Sequence, residues 1–415
     1  MLAPPLTPPG SAAPHPTGWP RSSTGAATLA NIGKSHSENQ DTFLTSANSS
    51  GSKCFVGVFD GHGEQGGKIS NFSRQMLAKT LFGHKELQHD PRTALKGAYD
   101  ETQRLIERDF SSEAAYSGTT AVAAYQHRDT LYVANVGDSR AVLGCCDSSR
   151  GQDGANLKAV ELSSDHKPSR PDEKRRITAE GGVVQKSAVP VQTSGGTIRL
   201  VRVGPERVMD RSGYGGLAVS RSLGDLSLRP FVSSQPEVVE RKLSQKDRVL
   251  ILGSDGVWDR LTSQEAVNIA GKQGDPVSAA RMITSVARKR WQAETQGALS
   301  DDITAVVVQL DIADSSPSDC SPSGGKALGQ QSAAAAQFEP MSPLRRTARQ
   351  RDSNENDANA SSHRPVTGGP EAFQHASDRL RRYRTSGHLG LDAMRQPGSK
   401  DLSLPNPLMP AAGRR

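Results

Sequence analysis

Apolar residues are scarce in this chain: 34% of its 415 residues are hydrophobic and 4% aromatic, so part of it is expected to lie outside any packed core. Cysteine is scarcer still. Cys54, Cys145, Cys146 and Cys320 form no CxxC pair and no framework spacing, which excludes a cysteine zinc site and a disulfide scaffold. A reducing compartment, cytoplasm or nucleus, is the expected setting. No run of 18 apolar residues occurs, which argues against a membrane-spanning helix. The opening Met1-Leu2-Ala3-Pro4-Pro5 has neither an apolar signal core nor the glycine that myristoylation needs. The formal charge of +7 would suit a nucleic-acid binder, but much of the excess sits in Arg345-Arg346, Arg349, Arg351 and the run from Arg379 to Arg384. Those clusters lack interleaved aromatics, so a solvated tail is expected there and nucleic acid is not an expected partner.

What apolar content there is lies in the middle. Residues 1–23 are rich in Pro, Ser and Gly and read as a disordered arm, and residues 313–415 as a disordered, low-complexity basic tail. The folded domain is expected over 24–312. Within it, Asp90-Pro91 and Asp275-Pro276 each place a capping side chain before a proline at the first helical position. Thr262-Ser263-Gln264-Glu265 is a capping box. Ile69, Phe72, Met76 and Leu77 form one apolar helix face, and Leu95, Tyr99, Leu105 and Ile106 another. Thr119 to Tyr125 and Thr130 to Val136 flank a short polar turn, a hairpin pattern that implies antiparallel pairing. The fold class that follows is α+β, an antiparallel sheet sandwiched by helices.

Aspartates recur at the ends of the apolar runs. Phe55 to Phe59 runs into Asp60-Gly61, and Val249 to Leu252 into Ser254-Asp255-Gly256. Each Asp-Gly is expected to turn the chain at once and leave its carboxylate at a strand end. Asp301-Asp302 leads into the strand from Ile303 to Leu310, and Asp41 precedes Thr42-Phe43. One such pair is an ordinary turn. Several carboxylates converging at one end of a sheet repel unless cations sit among them, and oxygen-only ligands favour magnesium or manganese over zinc.

The pieces in series resemble the motifs of the type 2C, or PPM, metal-dependent serine/threonine protein phosphatases. They are Glu38-Asn39-Gln40-Asp41, Val58-Phe59-Asp60-Gly61-His62-Gly63, Ser117-Gly118-Thr119-Thr120, Val136-Gly137-Asp138-Ser139-Arg140, Asp165-His166-Lys167-Pro168, the stretch from Leu217 to Asp225, Ser254-Asp255-Gly256-Val257-Trp258-Asp259, and Asp301-Asp302-Ile303-Thr304, in family order across residues 26–310. The resemblance implies a β-sandwich flanked by helices on both sides, with the metals at one end. It implies that Asp60, Asp255 and Asp301, with the carbonyl of Gly61, bind two magnesium or manganese ions. Asp41 then holds water bound to the metals, and Asp138 and Asp259 join Asp255 around a third, weaker ion. His62 matches the histidine that protonates the leaving oxygen. The implied reaction is direct attack of a metal-bridging water on phosphoserine or phosphothreonine of a phosphoprotein, by a monomer.

Departures from the pattern are also present. His36 stands five positions before Asp41, where the family commonly has a phosphate-gripping arginine, so His36 and Lys34 become the candidates for anchoring phosphate. Cys145-Cys146 is not set in a CxxxxxR phosphate loop and is expected at a buried or strand-edge position. Asp225 reads as a structural loop cap, and Asp138-Ser139-Arg140 taken alone as a polar turn closed by a local ion pair. Residues 172–209 fall where the family carries a variable flap: a basic helix from Asp172 to Ala179, a stop at Gly181-Gly182, then a strand-like, Gly-rich excursion through Thr193 to Thr197, where substrate choice is expected to reside. The competing reading is a pseudophosphatase, a phosphoprotein-binding module without turnover. It predicts loss of a metal aspartate, whereas Asp60, Asp255 and Asp301 are all present.

Overall fold

The computed structural model describes residues 21–34, 38–47, 53–146, 157–192, 196–210 and 216–311. Its strands are β1 (Arg21–Leu29), β2 (Asp41–Ala47), β3 (Lys53–His62), β4 (Gly118–Thr119), β5 (Ala121–His127), β6 (Thr130–Val136), β7 (Arg140–Cys146), β8 (Leu157–Glu161), β9 (Val184–Gln192), β10 (Ile198–Val208), β11 (Leu223–Gly224), β12 (Glu237–Lys242), β13 (Asp247–Gly253) and β14 (Ile303–Asp311). The helices are α1 (Gly66–Gly83), α2 (Pro91–Asp109), α3 (Pro171–Ala179), α4 (Asp255–Trp258), α5 (Ser263–Ala270) and α6 (Pro276–Thr295).

Two antiparallel sheets face each other. One runs β1-β14-β13-β7-β8, the other β11-β4-β3-β5-β6-β12 with β2 paired to β3. Strand alternation sorts the side chains. Val56 and Val58 of β3 point between the sheets to meet Leu143, Leu250, Leu252, Val306 and Val308. Phe55 and Phe59, on the opposite face, pack under α1 and α2 with Ile69, Leu77, Leu95, Tyr99 and Ile106. On the far side, Val249, Ile251, Ala305 and Val307 pack under α5 and α6 with Val267, Ile283 and Trp291. The expected sandwich with helices on both sides is therefore the observed one.

The helix starts are where the capping signals placed them. Asp90 accepts from the backbone N–H of Thr93, Asp275 from that of Ser278, and Thr262 and Glu265 form a reciprocal capping box. β5 and β6 form the expected hairpin, its turn narrowed to Arg128-Asp129. Of the two expected apolar helix faces, Phe72, Met76 and Leu105 are only half-buried.

Some expectations give way. β1 begins at Arg21, three residues inside the segment expected to be unstructured, because residues 21–29 pair along the whole of β14. Neither Asp-Gly pair turns the chain. Asp60 and Gly61 continue β3 to His62, held by β4 and by a bond from the Gly61 N–H to the Gln40 carbonyl. Asp255-Gly256 opens α4, with Ser254 as its N-cap. The flap is the helix α3 followed by the separate β9–β10 ribbon. Residues 1–20 and 312–415 lie outside the described residues, as do Thr193 to Gly195 of the flap excursion.

Candidate active site

The site is built where the two sheets end together. In the antiparallel ladder, Asp41 of β2 and Asp60 of β3 are register partners. Like charges placed directly opposite each other in a ladder are destabilising, so this pairing requires something positive nearby or a proton. Asp60 is fixed through its backbone: its N–H donates to Thr120 Oγ1 at 3.1 Å, and its carbonyl accepts from Thr120 N at 2.9 Å and Thr119 Oγ1 at 3.0 Å. Gly61 is needed for close approach, since a Cβ there would lie 2.6 Å from the Gly66 carbonyl oxygen.

The opposite sheet supplies Asp255 and Asp301. The Ser254 hydroxyl donates to Asp41 Oδ2 at 2.7 Å and accepts from the Thr304 N–H at 3.0 Å, tying the two sheets together beneath the carboxylates. A Cβ at Gly256 would lie 2.0 Å from the Asp302 carbonyl oxygen, so glycine lets α4 press onto the Asp301-Asp302 segment. Asp302 accepts from Asn31 N, Asn31 Nδ2 and Gln40 N, and acts as an anchor between loops. Asp301 Oδ1 accepts from its neighbour's N–H at 2.8 Å and from the Lys34 ammonium.

The electrostatics follow from the crowding. Burial, then the charges of Asp41, Asp255, Asp301 and Asp138, push the Asp60 carboxyl well above its ordinary range. Burial, then Asp301, Asp138 and Asp259, do the same to Asp255. Asp41 is raised to about 7 by burial and then by Asp302, against the lowering effect of the Ser254 hydrogen bond. Buried carboxylates that act on one another in this way resist ionising together unless a cation compensates them.

Asp138 forms no local ion pair with Arg140. It is buried against the Lys167 ammonium, while Arg140 grips Asp165 in bidentate fashion at 2.9 and 2.7 Å. Asp259 lies one turn after Asp255, its N–H donating to the Asp255 carbonyl at 2.8 Å. Lys34 reaches the cradle; His36 lies outside the described residues.

His62, at the end of β3, is half-buried. Its Nε2 lies 2.7 Å from Asp225 Oδ2. Burial would lower the imidazole pKa, yet the charge and hydrogen bond of Asp225, followed by Asp138, hold it above the ordinary histidine value. Asp225 is thus more than a loop cap. It is buried, sits in a left-handed conformation (φ 49°), and also accepts from Ser222 Oγ at 2.5 Å. A Cβ at Gly118 would lie 2.2 Å from Asp225 Oδ2, so that glycine makes room for the carboxylate.

A cation with oxygen ligands fits these residues. Buried Asp41 Oδ1 has no hydrogen-bond partner, and Lys34 and Lys167 bring positive charge onto Asp301 and Asp138. Among the described residues, the group whose ligand atoms all lie within 4.8 Å of one another is a different one, Asp172, Glu173 and Glu237. It is already neutralised: Arg170, Arg176 and Arg221 all bond to it, which removes the reason for a metal. Asp225, Lys167 and Ser254 each stand within one of the motifs, yet the sequence points only to a loop-cap role for Asp225 and to none for Lys167 or Ser254.

A family model described as Protein phosphatase 2C matches residues 26–296. The chain is 37% identical over 254 residues to a probable protein phosphatase 2C member 13, mitochondrial, of Oryza sativa subsp. japonica, covering 61% of this chain and 59% of that protein. It is 34% identical to the probable protein phosphatase 2C 76 of Arabidopsis thaliana, covering 62% of this chain and 52% of the relative. The chain thus spans only about half to three-fifths of those relatives' length. Among solved structures, serine-threonine phosphatase 2C from Toxoplasma gondii has the same fold, with a TM-score of 0.56 and 21% identity over 71% of this chain and 96% of that one.

Proposed function

The chain belongs to the protein phosphatase 2C family, and on that premise we propose that it hydrolyses phosphoserine and phosphothreonine in phosphoproteins, using divalent cations held by its aspartate cradle. The observation that carries the reading is the register pairing of Asp41 with Asp60 beneath Asp255, a charge arrangement that calls for a cation. Asp60, Asp255 and Asp301 would hold two magnesium or manganese ions with the carbonyl of Gly61, and Asp138, Asp255 and Asp259 a third, weaker one. Such ions, when bound, lower the pKa of water and offset charge on phosphoryl oxygens.

The rest of the work falls to the chain itself. Asp41, held by Ser254, orients water at the floor of the cradle. His62 stores a proton that Asp225 stabilises and delivers it to the leaving alkoxide. Lys34, with His36, is the proposed anchor for substrate phosphate. A covalent phosphocysteine route is not supported, because burial and Asp247 push the Cys145 thiol up to about 12. The free thiols Cys54, Cys145 and Cys146 support a site of action inside the cell.

The test is phosphate release from a phosphoserine or phosphothreonine peptide by the full chain, with manganese and with chelator. Release with manganese, abolished by chelator, is expected. Binding of the peptide without release under either condition would overturn the reading.

A further inference from the structure

Two lysines from separate loops are placed on the carboxylates of the cradle. Lys34, between β1 and β2, sets its ammonium on Asp301, with side-chain exposures of 17% and 10%. Lys167, after β8, sets its own on Asp138, with the carboxylate 6% exposed. Both also feel the charge of Asp255; Lys34 feels Asp60 as well, and Lys167 feels Asp259. Lys34 is largely enclosed where it meets Asp301, whereas Lys167 keeps 37% of its side chain exposed.

From this placement we infer that Lys34 and Lys167 are resident counter-cations of the cradle, which a divalent ion must displace from Asp301 and Asp138 respectively. The inference rests on the metal reading above. An ammonium and a divalent ion competing for one carboxylate are linked equilibria, so each weakens the other's hold by the same factor. Without metal, the lysines keep Asp301 and Asp138 from being buried and unpaired, which would be costly. With metal, the freed Lys34 ammonium is available to substrate phosphate. The lysines therefore set the metal affinity and preserve the shape of the metal-free site.

Calorimetric titration of manganese into the full chain tests this. Lys34→Met should bind manganese about tenfold more tightly than wild type, and its metal-free form should melt at a lower temperature. Lys167→Met should tighten only the weaker binding step. Lys34→Arg, which keeps the charge, should bind as wild type does. Should a methionine variant fail to fold, acylation of the wild-type chain read by mass spectrometry gives the answer: manganese should raise the reactivity of both lysines as they leave their carboxylates. Unchanged or weaker manganese binding in folded methionine variants, or lysine reactivity unmoved by manganese, would overturn the inference while leaving the metal reading intact. Absence of binding in wild type and variants alike would overturn both.

Discussion

At the scale of single residues, His62 and Asp225 form the most specific device in the site. A general acid matters in proportion to the basicity of the leaving group, and protonation is typically worth about 10² to 10⁴ in rate. His62→Gln should therefore cut turnover of a phosphoserine peptide by roughly that range, while hydrolysis of p-nitrophenyl phosphate, whose leaving group is stable unprotonated, falls much less. An equal fall for both substrates would point to a positioning role instead. The histidine was readable because it sits in the Asp60-Gly61-His62-Gly63 string. Its partner was not: the His62–Asp225 contact joins residues 163 positions apart, and nothing local distinguishes Asp225 from an aspartate that caps a loop. Gly118 carries the same lesson, since its reason for being glycine is the Asp225 carboxylate across the fold.

At the scale of elements, capping chemistry was legible because it is local. Asp90, Thr262 and Asp275 bond to N–H groups three residues ahead, so their sequence patterns were sufficient. The two Asp-Gly pairs misled for the converse reason. Tertiary partners, the Gln40 carbonyl for Gly61 and the Asp302 segment for Gly256, override the turn tendency of the pair. The flap helix α3 is likewise tied down by a distant contact: Glu173 is buried and bonded to Arg221 at 2.7 Å, as well as to Arg176 of its own helix at 2.9 Å. Burial would raise the Glu173 pKa, but those hydrogen bonds win and hold it below the ordinary glutamate value. Glu237, 3.3 Å from His166 Nε2 and bonded to Arg170, is lowered to about 2, by His166 first and then by Arg170 against the effect of burial. A depressed folded-state pKa means stability that is fully present above the unfolded value near 4.5 and is lost as pH falls through the folded value. Thermal melts should accordingly fall as the pH drops from about 4.5 towards 2. Glu173→Gln should lose about 1–3 kcal/mol at neutral pH, since it removes the charge to which two half-buried guanidinium groups bond, and should show a shallower acid slope. A Glu173→Gln protein as stable as wild type at neutral pH would show that the network does not hold the flap.

At the scale of the whole molecule, the sandwich class and its flanking helices could be read from alternation and helical periodicity, but the closing of the first sheet could not. β1 pairs with β14 over nine residues, from Arg21 opposite Asp311 to Leu29 opposite Ile303. Gly25 is pressed against α6, where a Cβ would lie 2.3 Å from the Val277 nitrogen. A fragment covering residues 21–311 should thus unfold cooperatively and keep its activity, whereas one beginning at residue 30 should expose the β14 edge and aggregate. Equal solubility and melting of the two fragments would mean that β1 is dispensable.

Whether the paired aspartates hold cations for phosphate-ester hydrolysis is read most directly from phosphoserine-peptide turnover by Asp60→Asn at saturating manganese. Even residues that only support metal ligands typically cost 10–100-fold when lost, so removing a charged ligand should reduce turnover by at least about a hundredfold in a protein that melts normally. Undiminished turnover by Asp60→Asn would contradict the account.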